Sequence, residues 1–255
     1  MPEVAGIVLA GVFGTLIGSF LNVCVYRLPR NESLLHPPSS CPQCGARIAW
    51  HDNVPVLGWL WLAGRCRRCR APISVQYPLL EALIGAVFAA AAWRFGVSWH
   101  GAAAAVFGTL LIGIALTDAR HYIIPDEFTW GGLVIGLALA APRGWPALST
   151  ALLGAAVGFA LLYAIAWAGE KVFRKEAMGG GDIKMMAMVG AFVGWKGVLV
   201  TVFLGALLGT VIFVPLAWRT GKLVPFGIFL ALGAAVTFVA GDALIAWYLA
   251  FAFGG

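Results

Sequence analysis

The sequence predicts an all-α polytopic membrane protein with about eight transmembrane helices. Two observations support that prediction. Of the 255 residues, 61% are hydrophobic and only 11% are charged, whereas a soluble domain is about 45–50% apolar and about 25% charged. The apolar residues also fall into runs close to the roughly 20 residues that cross a bilayer. The net charge of +6 is typical of basic loops at a membrane, and no nucleic-acid partner is expected.

The apolar segments divide the chain into three expected parts. A first transmembrane helix covers residues 1–26, a polar loop domain covers residues 27–76, and a membrane domain covers residues 77–255. Within these parts the eight expected spans are 4–26, 78–95, 102–117, 128–142, 147–168, 183–195, 198–218 and 224–253. The span at 183–195 is short and the last one is long, so the count of eight is approximate.

The positive charges in the loops predict the orientation of the chain. Most of them lie in residues 27–76, 118–127, 170–184 and 219–222. Because basic loops stay on the cytoplasmic side, we expect these loops in the cytoplasm and the N-terminus outside.

Four of the five cysteines lie in the polar loop domain, in two pairs. Cys41-Pro-Gln-Cys44 is followed, after 21 residues, by Cys66-Arg-Arg-Cys69. Two such pairs predict a four-thiolate zinc site, and the arginines around the second pair are expected to favour the thiolate form. Four protein ligands leave no open position for water or substrate. We therefore expect a structural zinc that stabilises the loop domain, although the spacing alone leaves a catalytic zinc open.

Two aspartates lie at the expected cytoplasmic ends of apolar segments. Asp118 follows the run that ends at Thr117, and Asp182 follows Gly179-Gly-Gly181. Carboxylates near hydrocarbon are costly and usually have a partner or a function. If the two acids meet, they can share one proton, as the aspartyl protease mechanism requires. Gly179 and Gly181 would form a substrate-contacting loop with backbone conformations that other residues avoid.

The residues alone leave other interpretations open. Asp118 and Asp182 could balance Arg120 and Lys184 at the interface, with the glycines as a flexible turn. They could form a carboxylate relay in a transporter or ion pathway, although a relay predicts ionisable groups near mid-span and repeated halves. A third interpretation is a membrane scaffold whose zinc loop binds a cytoplasmic partner.

Five motifs occur in an order that resembles the prepilin peptidase family, the GxGD-type intramembrane aspartyl proteases. They are residues 18–29, the two cysteine pairs, residues 73–81, residues 117–126 and residues 179–184. The resemblance covers nearly the whole chain and implies that Asp118 and Asp182 are the catalytic pair. It also implies a supporting or helix-capping role for Asp126. Asp242, in the last apolar segment, is not expected to be a third catalytic group.

The resemblance further implies an enzyme with two activities in the bacterial inner membrane. Members with the cysteine loop cut a short basic leader from type IV prepilins or type II secretion pseudoprepilins, and then methylate the new N-terminus with S-adenosylmethionine. The sequence shows no glycine-rich nucleotide fold for that cofactor. Glu81, at the start of the second apolar segment, is expected to pair with a loop arginine or to contribute to methylation.

Overall fold

A computed structural model describes residues 2–175, 178–213 and 225–254 of the chain. Within those ranges the regular structure is helical, with two isolated β-bridges and no strand. The predicted all-α class is therefore confirmed. The helices, numbered along the chain, are α1 Pro2–Arg27, α2 Leu57–Trp61, α3 Gln76–Phe95, α4 Trp99–His121, α5 Asp126–Ala140, α6 Trp145–Phe173, α7 Gly180–Leu208 and α8 Phe226–Phe253.

Six of the described helices are long and apolar enough to cross a membrane, against the eight expected spans. One difference is α5, which has only 15 residues and is about 22 Å long, less than a hydrocarbon core of about 30 Å. The other is that the expected spans 183–195 and 198–218 share one long helix, whose apolar stretch is Gly180–Ile212. Residues 214–218 and 224, at the ends of two expected spans, lie outside the described residues.

The expected break between those two spans is present as a kink inside α7. Gly194 has φ 69° and ψ 175°, which is not helical, while the helix continues on both sides of it. A positive φ is accessible to glycine at little cost. The kink therefore lies one residue from the expected end of the first span, but it bends the helix instead of ending it.

The first compact unit is Met1–Ala105, in which α1 packs against α3. The contact is close because small residues lie in it. An added Cβ at Gly18 would be 2.8 Å from the Cα of Glu81, and one at Gly85 would be 2.7 Å from the Cγ2 of Thr15. Small residues let membrane helices approach each other in this way. The polar residues between α1 and α3 contain the two cysteine pairs and α2.

The second compact unit is Val106–Gly255. Its long helix α7 contacts α5, α6 and α8, and its core is apolar. The rings of Phe107 and Phe192 stack with centroids 4.6 Å apart. Other side chains that are almost fully buried in this unit are Ile114, Leu162, Met185, Met186, Met188 and Leu230. The ends of α4, α5 and α7 contain Asp118, Asp126 and Asp182.

Candidate active site and cysteine cluster

Asp118 lies in the last turn of α4 and is almost completely buried, with 6% of its surface exposed. The preceding residue, Thr117, is fully buried, and its hydroxyl donates a hydrogen bond to the carbonyl of Ile114 at 3.0 Å. A buried aspartate in an apolar helix is costly unless other groups solvate it. The position of Asp118 thus calls for hydrogen-bond donors from other elements.

Asp182 lies in the first turn of α7, directly after the glycine run. Its own N–H donates to the carbonyl of Gly179 at 3.1 Å, so the turn closes on the glycine that precedes the helix. The start of a helix carries partial positive charge, and an acidic side chain is favourable there. The helix start thus offers a favourable place for this second aspartate.

The structure brings the two aspartates together. Their carboxylates interact electrostatically, although Asp118 ends one helix and Asp182 begins another. Each has one buried oxygen without a hydrogen-bond partner among the described residues, Oδ2 of Asp118 and Oδ1 of Asp182. Buried polar atoms normally have partners. Two neighbouring carboxylates with free oxygens can bind a water molecule or a carbonyl group.

The glycine run does not have the expected backbone conformation. Gly179 has φ −68° and ψ 141°, and Gly180 and Gly181 are already helical, so none of them adopts the left-handed backbone that we expected. Space, not backbone conformation, favours a small residue at Gly181, where an added Cβ would be 3.0 Å from the Cβ of Ile124. Around Gly180 nothing lies within 4 Å of an added Cβ.

Asp126 belongs to a separate ion pair. It is the first residue of α5, and its carboxylate accepts hydrogen bonds from Lys184 Nζ at 2.7 and 2.9 Å. No side-chain cap is formed at Pro125, the residue before the helix. Lys184 therefore pairs with Asp126. This contact argues against the interpretation in which Lys184 balances the charge of Asp182.

The contribution of α8 to this site was not predicted from the sequence. The backbone N–H groups of Gly227 and Ile228 donate hydrogen bonds to the Asp118 carboxylate. The sequence signal was Pro225-Phe226-Gly227 at the start of an apolar run, since Pro before a helix and Gly in its first turn mark a helix start in close contact with something else. An added Cβ at Gly227 would lie 2.5 Å from Asp118 Oδ2.

The four predicted cysteine ligands form one cluster in the first unit. The sulfur atoms of Cys41, Cys44, Cys66 and Cys69 all lie within 4.8 Å of one another, and the sulfurs of Cys41 and Cys69 are 3.7 Å apart. A tetrahedral zinc with Zn–S bonds of about 2.3 Å places its sulfurs about 3.8 Å apart. All four are free thiols. The cluster therefore fits a four-thiolate zinc site.

Each cysteine pair folds into the same turn. The N–H of Cys41 donates to Ala46 and that of Cys66 donates to Ala71, at 2.9 and 2.8 Å. The residue after each pair has a left-handed backbone, Gly45 with φ 67° and Arg70 with φ 61°. These turns point backbone N–H groups at sulfur, the arrangement that stabilises thiolates.

Backbone hydrogen bonds favour the thiolate form of two of the four cysteines. Hydrogen bonds from the N–H groups of Cys69 and Arg68 lower the pKa of Cys66 to about 6. Those of Cys44 and Gln43 lower the pKa of Cys41. Deprotonated sulfur is the form that binds metal, so the turns prepare these two ligands.

Two acidic side chains hold the loop around the cluster. Asp52 binds Arg67 through two hydrogen bonds of 2.7 and 2.5 Å, which ties the second cysteine pair to the Trp50–Asn53 turn. Glu81 of α3, largely buried, accepts a hydrogen bond from the N–H of Val56 at 2.7 Å. The partner of Glu81 is thus a backbone group of the loop, and not the loop arginine that was expected.

Comparisons with known proteins match both units. A model described as "Bacterial Peptidase A24 N-terminal domain" matches residues 12–95, and one described as "Type IV leader peptidase family" matches residues 105–214. Proteins named "Prepilin leader peptidase/N-methyltransferase" are similar to the chain. The one from Aeromonas hydrophila is 34% identical over 94% of this chain and 93% of its own length.

Two further relatives carry the same name. The Stutzerimonas stutzeri protein is 35% identical over 97% of this chain and 95% of its own length. The Myxococcus xanthus protein is 42% identical over 84% of this chain, and that match spans 64% of its own length, less than two thirds. No solved structure matches the chain.

Proposed function

This chain belongs to the type IV leader peptidase family, and we propose that it cleaves the leader of type IV prepilins or type II secretion pseudoprepilins and then N-methylates the new N-terminus. The family resemblance found in the motifs is confirmed by these matches. Membership, together with six helices that could span a bilayer, makes the chain a multi-pass membrane protein. Its named relatives support both activities.

The single observation that supports peptidase activity most strongly is the pairing of Asp118 with Asp182. Both carboxylates are at helix ends, interact with each other and keep one buried oxygen free. In our proposal one carboxylate accepts a proton from the attacking water, while the other, protonated, donates a hydrogen bond to the scissile carbonyl. The proton that the pair holds is then available to the leaving amine.

We assign the base role to Asp118 and the acid role to Asp182. Asp118 accepts hydrogen bonds from two N–H groups of α8, and N–H donors bind a charged oxygen more strongly than a neutral one. Oδ1 of Asp182 is buried near the Asp118 carboxylate, which suits the partner that carries the shared proton. Gly179, where an added Cβ would be 3.7 Å from Asp182 Oδ2, and Gly181 are the residues that we propose to contact an extended substrate backbone.

We propose that zinc at the four cysteines is structural and that methyl transfer uses S-adenosylmethionine. The sulfur spacing supports the metal, and four ligands would leave no position for substrate. S-adenosylmethionine would supply the methyl group for the pilin amine. No residue of the described chain is assigned to that cofactor.

We also propose that the chain lies in the bacterial inner membrane with the aspartate pair and the cysteine loop facing the cytoplasm. The distribution of arginine and lysine in the loops supports this orientation. The transporter alternative is not supported, because the two acids pair at helix ends and the named relatives are peptidases. The scaffold interpretation leaves that pair without a role.

Cleavage of a prepilin by the purified protein in detergent tests the proposal. Asp118→Asn and Asp182→Asn should each lower the cleavage rate by about three orders of magnitude or more, because neither role can be filled by an amide. Asp242→Asn, an exposed acid in the middle of α8, is the matched control and should cleave like the wild type. A few per cent of wild-type activity in either Asp118→Asn or Asp182→Asn would show that the pair is not the catalytic centre.

A further inference from the structure

The first turn of α8 lies against the carboxylate of Asp118. The N–H groups of Gly227 and Ile228 donate hydrogen bonds to it. N–H groups in the first turn of a helix have no partner within the helix, and together they form the positive end of the helix dipole. Helix and carboxylate therefore satisfy each other, and α8 becomes a third element of the site beside α4 and α7.

The contact leaves no room for a side chain at Gly227. An added Cβ would lie 2.5 Å from Oδ2 and 3.2 Å from Cγ of Asp118, and 3.0 Å from Cδ1 of Ile124. An added Cβ at Gly181 would likewise be 3.0 Å from Ile124, so Ile124 lies close to both glycines. The shortest contact of a substituent at Gly227 is with Oδ2 of Asp118, and that carboxylate would have to shift.

A second, independent observation concerns the oxygen on that side. Asp118 is 94% buried, since 6% is exposed, and its Oδ2 has no hydrogen-bond partner among the residues that the structure describes. Because buried oxygens normally have partners, Oδ2 is the atom that remains for water or substrate. The N–H groups of α8 hold the carboxylate while leaving this oxygen unused.

We propose that Gly227 is a positioning residue for leader cleavage: it sets the place and orientation of the Asp118 carboxylate relative to Asp182. It acts through its N–H group and through the absence of a side chain. This inference rests on the proposed peptidase function and adds a residue to its site.

A methyl group at position 227 should lower the rate of the chemical step and leave substrate binding nearly unchanged. Displacement of a catalytic group by about 1 Å can lower the rate about 100-fold, and the contacts above require a displacement of that order. We therefore expect Gly227→Ala to reduce kcat for prepilin cleavage about 100-fold, with KM within about threefold of the wild type.

The matched control is Gly233→Ala in the same helix. An added Cβ there would also be crowded, 2.8 Å from the carbonyl oxygen of Thr201, but it lies almost two helical turns beyond Gly227. Gly233→Ala should lower thermal stability in detergent and keep kcat close to that of the wild type. Comparison of Gly227→Ala with Gly233→Ala separates the effect of crowding within α8 from the effect of displacing Asp118.

N-methylation of an already cleaved pilin is a second readout, because a general folding defect would reduce methylation as well as cleavage. Gly227→Ala should methylate cleaved pilin at the wild-type rate while it fails to cut prepilin. If Gly227→Ala does not fold, Ile228→Pro is the second variant, because Pro is tolerated in the first turn of a helix and removes the N–H donor of residue 228. It should lower kcat for cleavage about tenfold, the loss expected for about 1.4 kcal/mol.

Three outcomes would overturn the inference. They are wild-type kcat in Gly227→Ala, an equal loss of cleavage in Gly227→Ala and Gly233→Ala, and, if the second variant is needed, wild-type cleavage by Ile228→Pro. If the wild-type protein itself does not cut prepilin, the proposed function fails instead, and the two failures are distinguishable.

Discussion

Lys184 holds Asp126 through both carboxylate oxygens, with Nζ–O distances of 2.7 and 2.9 Å. The ion pair joins the first residue of α5 to a residue near the start of α7, two positions beyond Asp182. The two motifs that contain Asp118 and Asp182 are therefore also linked by the ion pair of Asp126 and Lys184. The two aspartates of the 118–126 motif have separate partners.

The first prediction concerns this ion pair. The side chains of Lys184 and Asp126 are 34% and 57% exposed, and exposed ion pairs contribute about 0–1 kcal/mol. Asp126→Asn should therefore lower the free energy of unfolding by less than about 1 kcal/mol and reduce cleavage by no more than about fivefold. Thermal unfolding in detergent and the prepilin assay measure both. A loss as large as that of Asp118→Asn would place Asp126 among the catalytic groups.

The second prediction concerns the bond between Glu81 and Val56. Glu81 is 9% exposed, and its carboxylate accepts the Val56 N–H at 2.7 Å. Glu81→Ala leaves that N–H unpaired at a cost of about 1–3 kcal/mol, so proteases should cut residues 27–76 faster under native conditions. Glu81→Gln keeps an acceptor and should be cut at a rate between those of the wild type and Glu81→Ala. Equal cutting of all three proteins would contradict a tethering role.

The third prediction concerns the metal. Cys41→Ser combined with Cys66→Ser removes one ligand from each pair, so the purified protein should lose its bound zinc and become protease-sensitive within residues 27–76. A strong chelator should have the same effect on the wild type. Cys24→Ser, in α1 and outside the cluster, should retain one zinc per chain. Stoichiometric zinc in the double variant would disprove the four-thiolate site.

The fourth prediction concerns pH. The hydrogen bonds from Arg67 hold the pKa of Asp52 below its ordinary value, which is about 3.9 in an unfolded chain. The stabilisation is thus complete above that value and is lost as the pH falls through the lower pKa of the folded protein. Protease sensitivity of residues 27–76 should rise below about pH 4. Asp52→Asn should already be protease-sensitive at neutral pH and should not become more sensitive below about pH 4. If the increase at low pH is the same in Asp52→Asn as in the wild type, a group other than Asp52 causes it.

The helices and the residue types of both sites were predictable from sequence because they depend on local properties. Apolar runs identify membrane helices by composition alone, and two Cys-x-x-Cys pairs indicate a zinc site by their spacing. The count of spans was harder to predict. A glycine kink at Gly194 and a break between helices look alike in sequence, and the difference depends on how the flanking segments pack.

By itself, the sequence determined the all-α class, the family, the four candidate metal ligands and the two candidate aspartates. The tertiary structure decided which groups solvate those aspartates and which do not. It placed Gly227 against Asp118, paired Lys184 with Asp126, and gave Glu81 a backbone partner. These contacts join residues far apart in the chain, and they exist only because packed helices bring particular helix ends to the same place.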